Sequence, residues 1–233
     1  MIVLDVQIEE AGYDDRPRTV SDIRFSVSAG ELTGLIGPNG AGKSTTIKAI
    51  LGLLKHCRAD IRFPGPRERY AYIPEQPVLY PSLTLWEHLE LAASAYEMEE
   101  KTFVRRAEQL LARFRLDQVK HHLPDGFSKG MQQKMMLVIG FLIEPDIYIV
   151  DEPFVGLDPK ATKDLLRLLE EERSRGAGIL MSTHVLDTAE KICDNFLLID
   201  GGTVAARGTL REIRERSGLV DGSLLDCFDQ LTS

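Results

Sequence analysis

The chain has 233 residues, 43% hydrophobic and 27% charged, enough to bury the core of one large domain and unlike a disordered or tandem protein. Its net charge of -8, with 28 Lys and Arg scattered among the acids, argues against a nucleic-acid partner. The acidic start of the chain does not suit a signal peptide, and no uncharged apolar stretch approaches the ~20 residues that span a bilayer, so a cytosolic protein is expected.

Apolar and polar residues alternate from Val3 to Ile8, and again through Ile23, Phe25 and Val27, which predicts half-buried antiparallel strands. A short apolar run at 32–36 then leads through a glycine-rich loop into a helical stretch at 44–54. Between 82 and 142 the period is helical, as in Phe103, Ala107, Leu110, Leu111 and Phe114, and a helical insert follows from it. Residues 146–150 read as a buried strand, Asp158 and Pro159 open a helix that stops near Gly176, and 178–183 is another apolar strand. Two short strands around Asp200-Gly201-Gly202 give a hairpin signal. The fold class is therefore α/β, a parallel sheet packed by helices with an antiparallel β edge and a helical insert. The expected organisation is one domain, with a core at 1–81 and 143–208, a helical subdomain at 82–142 and a tail at 209–233. The tail is too short for a regulatory domain; it either covers the sheet or touches a partner. Cys57, Cys193 and Cys227 are too irregularly spaced for a disulfide framework or a zinc site and are assigned as reduced thiols, and histidines 56, 88, 121 and 122 are assigned to the surface.

Gly37-Pro38-Asn39-Gly40-Ala41-Gly42-Lys43-Ser44 matches the phosphate loop G-x-x-x-x-G-K-[ST], and it stands in the required context between an apolar strand and a helix. Its glycines let backbone N–H groups surround an anion, and Lys43 sets a charge against the β and γ phosphates of ATP. The Ser44 hydroxyl is placed to ligate Mg²⁺ and that of Thr45 to reach the α phosphate. The strand at 147–151 ends in Asp151-Glu152. An acid at such a strand end lies beside the phosphate loop, so Asp151 is assigned to the metal and Glu152 to orienting or deprotonating the attacking water.

These motifs, with Phe127-Ser128-Lys129-Gly130-Met131, Gly156-Leu157-Asp158 and Ser182-Thr183-His184, occur in the order of the ABC transporter ATPase family, which the chain resembles over nearly its whole length. The wording from Phe127 to Lys134 and from Gly176 to His184 is similar to that of bacterial Ecs-type or drug-export-type ATPase subunits. The resemblance implies the P-loop ABC ATPase fold and an ATP hydrolase using Mg²⁺. It also implies a head-to-tail dimer in which the phosphate loop of one copy and Ser128, Lys129, Gly130 and Asp158 of the other enclose ATP. Ser128 can cap the apolar helix that follows it, which leaves free N–H groups suited to the partner's γ phosphate. The commoner family signature is Leu-Ser-Gly-Gly-Gln, from which Lys129 and Met131 depart; the Lys129 charge is compatible with phosphate.

Three further roles come from the resemblance. Gln76 falls in the glutamine loop as a metal or water ligand, and His184 senses the γ phosphate and orients the water. Tyr13 stacks on adenine, although an aromatic beside glycine can equally anchor a loop. The function implied is the motor subunit of a transporter, cytoplasmic and peripheral on the inner face of the membrane. It acts as a homodimer on an integral membrane subunit, with no nucleic acid bound. Residues 77–87, with Tyr80 and Trp86, offer a dock for that subunit, unless Trp86 belongs to the core of the insert. A soluble ABC-type ATPase acting on ribosomes or DNA is the alternative, but it usually carries two motor domains or a long coiled coil. A nucleotide kinase would have no use for Ser128-Lys129-Gly130.

Overall fold

The computed structural model describes residues 1–232. In β1 (Ile2–Tyr13) the buried residues Leu4, Val6 and Ile8 recur every second position, as a strand with one covered face requires. It pairs antiparallel with β2 (Arg16–Ser28) and β4 (His56–Arg62), giving a three-stranded sheet in the order β2-β1-β4. β3 (Leu32–Ile36), β6 (Ile147–Asp151) and β7 (Gly178–Thr183) are buried along their whole length. With β5 (Tyr70–Ile73), β8 (Asn195–Asp200) and β9 (Thr203–Gly208) they form a six-stranded sheet in the order β5-β6-β7-β3-β8-β9. Its pairs are parallel except the edge pair β8–β9. Continuous apolar runs are what strands covered on both faces need.

Side-chain alternation divides the core. Ile147, Ile149 and Leu180 point to one face, packed against the three-stranded sheet and α1 (Lys43–Ile50). Tyr148, Val150, Ile179 and Met181 point to the other, where they meet α2 (Leu85–Ala95), α3 (Glu100–Phe114), α4 (Lys129–Leu142) and α5 (Pro159–Arg175). The helical stretch thus shares its core with the sheet. Phe141 of α4 stacks on Tyr148 with ring centroids 4.8 Å apart, and a Cβ on Gly140 would come within 2.4 Å of the Ile73 side chain.

Local chemistry sets the helix ends. Thr84 and Glu87 form a capping box on α2, and Asp158 caps α5 ahead of Pro159. The helix expected over 44–54 stops at Ile50, because Gly52 takes a φ of +68° and the Leu53 N–H turns back to the Lys48 carbonyl.

One surface assignment is corrected. His88 is buried: Nε2 accepts from the Tyr80 N–H at 2.9 Å and Nδ1 donates to the Thr84 carbonyl at 2.8 Å, joining the segment before α2 to its first turn. Trp86 is half-buried, tilted against Phe103 at 5.2 Å and lying 4.7 Å from Lys120 Nζ, so it belongs to the edge of the helical core, whereas Tyr80 is exposed.

The tail covers the sheet. α6 (Leu186–Ile192), α7 (Leu210–Ser217) and α8 (Leu224–Thr232) enclose a third apolar cluster with Ile36, Phe196, Leu198 and Ala206. Ser233, the last residue of the expected tail, lies outside the described residues. All three cysteines are free, and burial pushes the Cys193 thiol up to about 12. No helix among the described residues is long and apolar enough to cross a membrane.

Candidate nucleotide site

The neighbouring strands β6, β7 and β3 end together: Asp151 pairs in register with Ser182, and Thr183 with Ile36. The loop after β3, the acids closing β6 and His184 after β7 therefore emerge at one carboxyl edge, where open α/β sheets hold their ligands.

The loop's glycines are required by space and backbone. A Cβ on Gly37 would fall 2.2 Å from the Ile199 carbonyl oxygen, and Gly42 holds a φ of +112° as it leads into α1. The first turn of α1 has neither a side-chain cap nor an acid, so its free N–H groups are left for an anion. Lys43 is buried at the centre of the loop, its Nζ donating to the carbonyls of Gly37 at 2.8 Å and Pro38 at 3.3 Å and lying 3.4 Å from Glu152 Oε1.

Glu152 is a non-glycine residue with a φ of +46°, a left-handed backbone that costs ~1–3 kcal/mol and is held by its surroundings. Its N–H donates to the Ser182 carbonyl at 3.2 Å and Oγ at 3.1 Å, and its Oε2 accepts from His184 Nδ1 at 2.9 Å. Asp151, also buried, accepts from the hydroxyls of Ser182 and Ser44. Burial raises its carboxyl above the usual range; those two hydroxyls act against the shift, the Glu152 charge adds to it and Lys43 opposes it. Burial, followed by the charges of Asp151 and Glu75, pushes nearby Tyr72 up to about 12.

A cavity of about 510 Å³ is lined by Tyr13, Pro38, Asn39, Gly40, Gly42, Lys43, Ser44, Thr45, Glu152 and His184, with Asp15, Arg16, Thr19 and Glu75. That is the size of a small-molecule cleft. Tyr13, at the end of β1, lies over the start of α1: its hydroxyl oxygen accepts from Thr45 Oγ1 at 3.5 Å and Lys48 Nζ at 3.3 Å. Ala41 is buried behind the loop, where its carbonyl accepts from Gly202 of the β8–β9 turn at 3.0 Å.

Not every residue assigned from sequence reaches the cavity. Gln76 is exposed, and it is the adjacent Glu75 that lines the wall. Ser128, Lys129, Gly130 and Asp158 form a patch of their own. Ser128 Oγ accepts from the Met131 N–H at 3.3 Å to cap α4, and a Cβ on Gly130 would lie 3.0 Å from the Gly156 carbonyl. Asp158 accepts from the N–H groups of Lys160 and Ala161 at 3.0 and 2.8 Å and pairs with Lys134 at 2.6 Å, which holds its carboxyl below the usual range.

Besides Asp15, Arg16, Thr19 and Glu75 of the cavity wall, two further contributors were not assigned from sequence. Ser182 ties Asp151 to Glu152, and its signal is a polar residue near the end of an apolar strand. Lys134, one turn into α4, carries no such signal. The Ser44 hydroxyl and the Asp151 carboxylate are hard oxygen donors that suit Mg²⁺. Among the described residues no group of three or more His, Cys, Asp or Glu forms an all-protein metal cage, and Mg²⁺ is normally held by one or two protein oxygens together with phosphates.

Comparison with known proteins gives the family. A family model for ABC transporters matches residues 20–155. The chain is 54% identical over 226 residues to the ABC transporter ATP-binding protein YthP of Bacillus subtilis (strain 168), covering 97% of this chain and 95% of the relative. It is 45% identical over 241 residues to the ABC-type transporter ATP-binding protein EcsA of the same organism, covering 100% and 97%. A solved structure of an ATP-binding subunit of an ABC transporter, 48% identical, matches with a TM-score of 0.93 over 99% of this chain and 100% of that one. A phosphate loop, a buried acid pair and a histidine at one sheet edge, in a chain with these relatives, make it a member of the ABC transporter family, among its ATP-binding proteins.

Proposed function

We propose that this chain is the ATP-hydrolysing motor of an ABC transporter, dimerising head to tail around two MgATP and driving a separate membrane-spanning partner from the cytoplasmic face. The observation that carries it is the junction at Glu152, a buried carboxylate held between Lys43 and His184 at the mouth of the phosphate loop.

In this mechanism the loop N–H groups and Lys43 bind the β and γ phosphates, and Thr45 reaches the α phosphate. Ser44 and Asp151 hold Mg²⁺, which when bound neutralises charge on the phosphates. Glu152 takes the proton of the attacking water on a carboxylate oxygen, and His184 fixes that carboxylate through Nδ1. Tyr13 stacks on the base. Ser128, Lys129, Gly130 and Asp158 belong to the site of a second copy, a role supported by their lying outside their own chain's cavity. Gln76 joins the metal site only if the segment around Pro74 and Pro77 turns inward when ATP binds. A homodimer is favoured because one chain carries both halves of the site, and the transporter partner is supported by the names of the relatives.

The test is affinity purification of the tagged chain from detergent-solubilised host membranes, followed by mass spectrometry. A stoichiometric multi-span membrane protein is expected; recovery only with ribosomes, or with no partner, would overturn the transport assignment.

A further inference from the structure

His184 is about half exposed, with 47% of its side chain accessible, and its ring is bonded to Glu152. Its aim is therefore set by the backbone on either side. Upstream, β7 is fixed in the sheet, and Thr183 Oγ1 accepts from the Val185 N–H at 3.0 Å. Downstream comes α6, seven residues long, without a side-chain cap and with Ala189 as its buried residue. A helix this short is not stable alone, so it stays where its neighbours hold it.

It rests on β3 and, through Ile192, on the sheet core, and it is held from outside by the C-terminal tail. Ala189 packs in the third apolar cluster with Leu224 and Phe228 of α8. The next residue, Glu190, bonds to the tail twice: Oε2 accepts from the Leu224 N–H at 2.7 Å at the start of α8, and Oε1 lies 3.4 Å from Arg214 of α7. Arg214 closes the loop between the two helices by donating to the Gly222 carbonyl at 2.7 Å. Ile36, the last residue before the phosphate loop, belongs to the same cluster.

Building on the hydrolysis proposed above, we infer that Glu190 is a positioning residue for that reaction. Through Arg214 and the α7–α8 tail it anchors α6 and so keeps His184 directed at Glu152. The tail is thus a buttress of the catalytic histidine, and loosening it lowers turnover while leaving the phosphate loop able to bind nucleotide.

The experiment compares MgATP hydrolysis by Glu190→Ala and Arg214→Met proteins, each also made in a His184→Ala background, with labelled phosphate release to follow low rates. Thermal melting accompanies each, and Arg214→Met serves as an independent probe of the joint should Glu190→Ala fold poorly. The expected result is a kcat lowered about three- to tenfold with KM within about twofold, and no further fall once His184 is gone, as coupled residues behave. Unchanged kcat, or a loss of equal size in both backgrounds, would overturn the inference while leaving the hydrolysis mechanism standing. A His184→Ala protein that turns over at the wild-type rate would overturn both the role of His184 and the inference built on it.

Discussion

Lys43 and Glu152 face each other across 3.4 Å, both buried, and each is drawn to that point by other partners: the Gly37 and Pro38 carbonyls for the ammonium, His184 for the carboxylate. On the proposed function, a phosphate entering the loop would compete with Glu152 for Lys43 and so free the carboxylate for a water, linking binding and catalysis through this one contact.

Glu152→Gln keeps the shape and an acceptor for His184 but removes the proposed base. Hydrolysis should fall by on the order of 10²–10⁴ while MgATP still binds, as measured by phosphate release and equilibrium binding. Activity within a few-fold of wild type would move the base elsewhere.

Lys43→Met leaves the buried Glu152 charge without its ammonium, so stability should drop by about 1–3 kcal/mol in urea unfolding, and ATP affinity should fall at least tenfold, roughly. Adding Glu152→Gln removes the stranded charge, and the double variant should be more stable than Lys43→Met alone.

The Asp151 carboxyl is raised above 3.8 mainly by burial, so its contribution to folding is most favourable below 3.8 and is lost as pH rises through the raised value. Asp151→Asn, neutral at every pH, should therefore melt a few degrees higher than the wild type near pH 7 without nucleotide. That advantage should vanish as pH falls towards 3.8, where Asp151 is protonated too. The same variant should lose its Mg²⁺-dependent stabilisation by ATP, read by calorimetry with and without a chelator.

Asp158 both caps α5 and meets Lys134. Asn retains the cap and Ala does not, so Asp158→Ala should cost about 1 kcal/mol in chemical unfolding and Asp158→Asn only a few tenths. Similar losses for both would place the stability in the ion pair instead.

The phosphate loop, the acid pair and the α5 cap were legible in sequence because each is a local device: a glycine where a Cβ cannot fit, a strand end, an Asp before Pro. β4 and β5 were not. β4 carries no continuous apolar face, with only Cys57 and Ile61 of its seven residues half-buried, so it lacks a two-residue signal. β5 has four residues, below what periodicity can register. His88 looks like any polar helix residue until α2 and the segment before it close around the ring. The partnerships Lys134–Asp158, Ser182–Asp151 and Glu190–Leu224 join residues 24, 31 and 34 positions apart, and no local pattern announces them. Glu75, rather than Gln76, lines the cavity, and no periodic pattern at this bend tells the two neighbours apart.

The most direct measurement is light scattering of the Glu152→Gln protein with and without MgATP. Sequestration of ATP between two copies predicts a monomer that becomes a dimer on adding MgATP and reverts when Ser128 is also replaced by Arg; a protein that binds MgATP and stays monomeric would contradict the two-copy site.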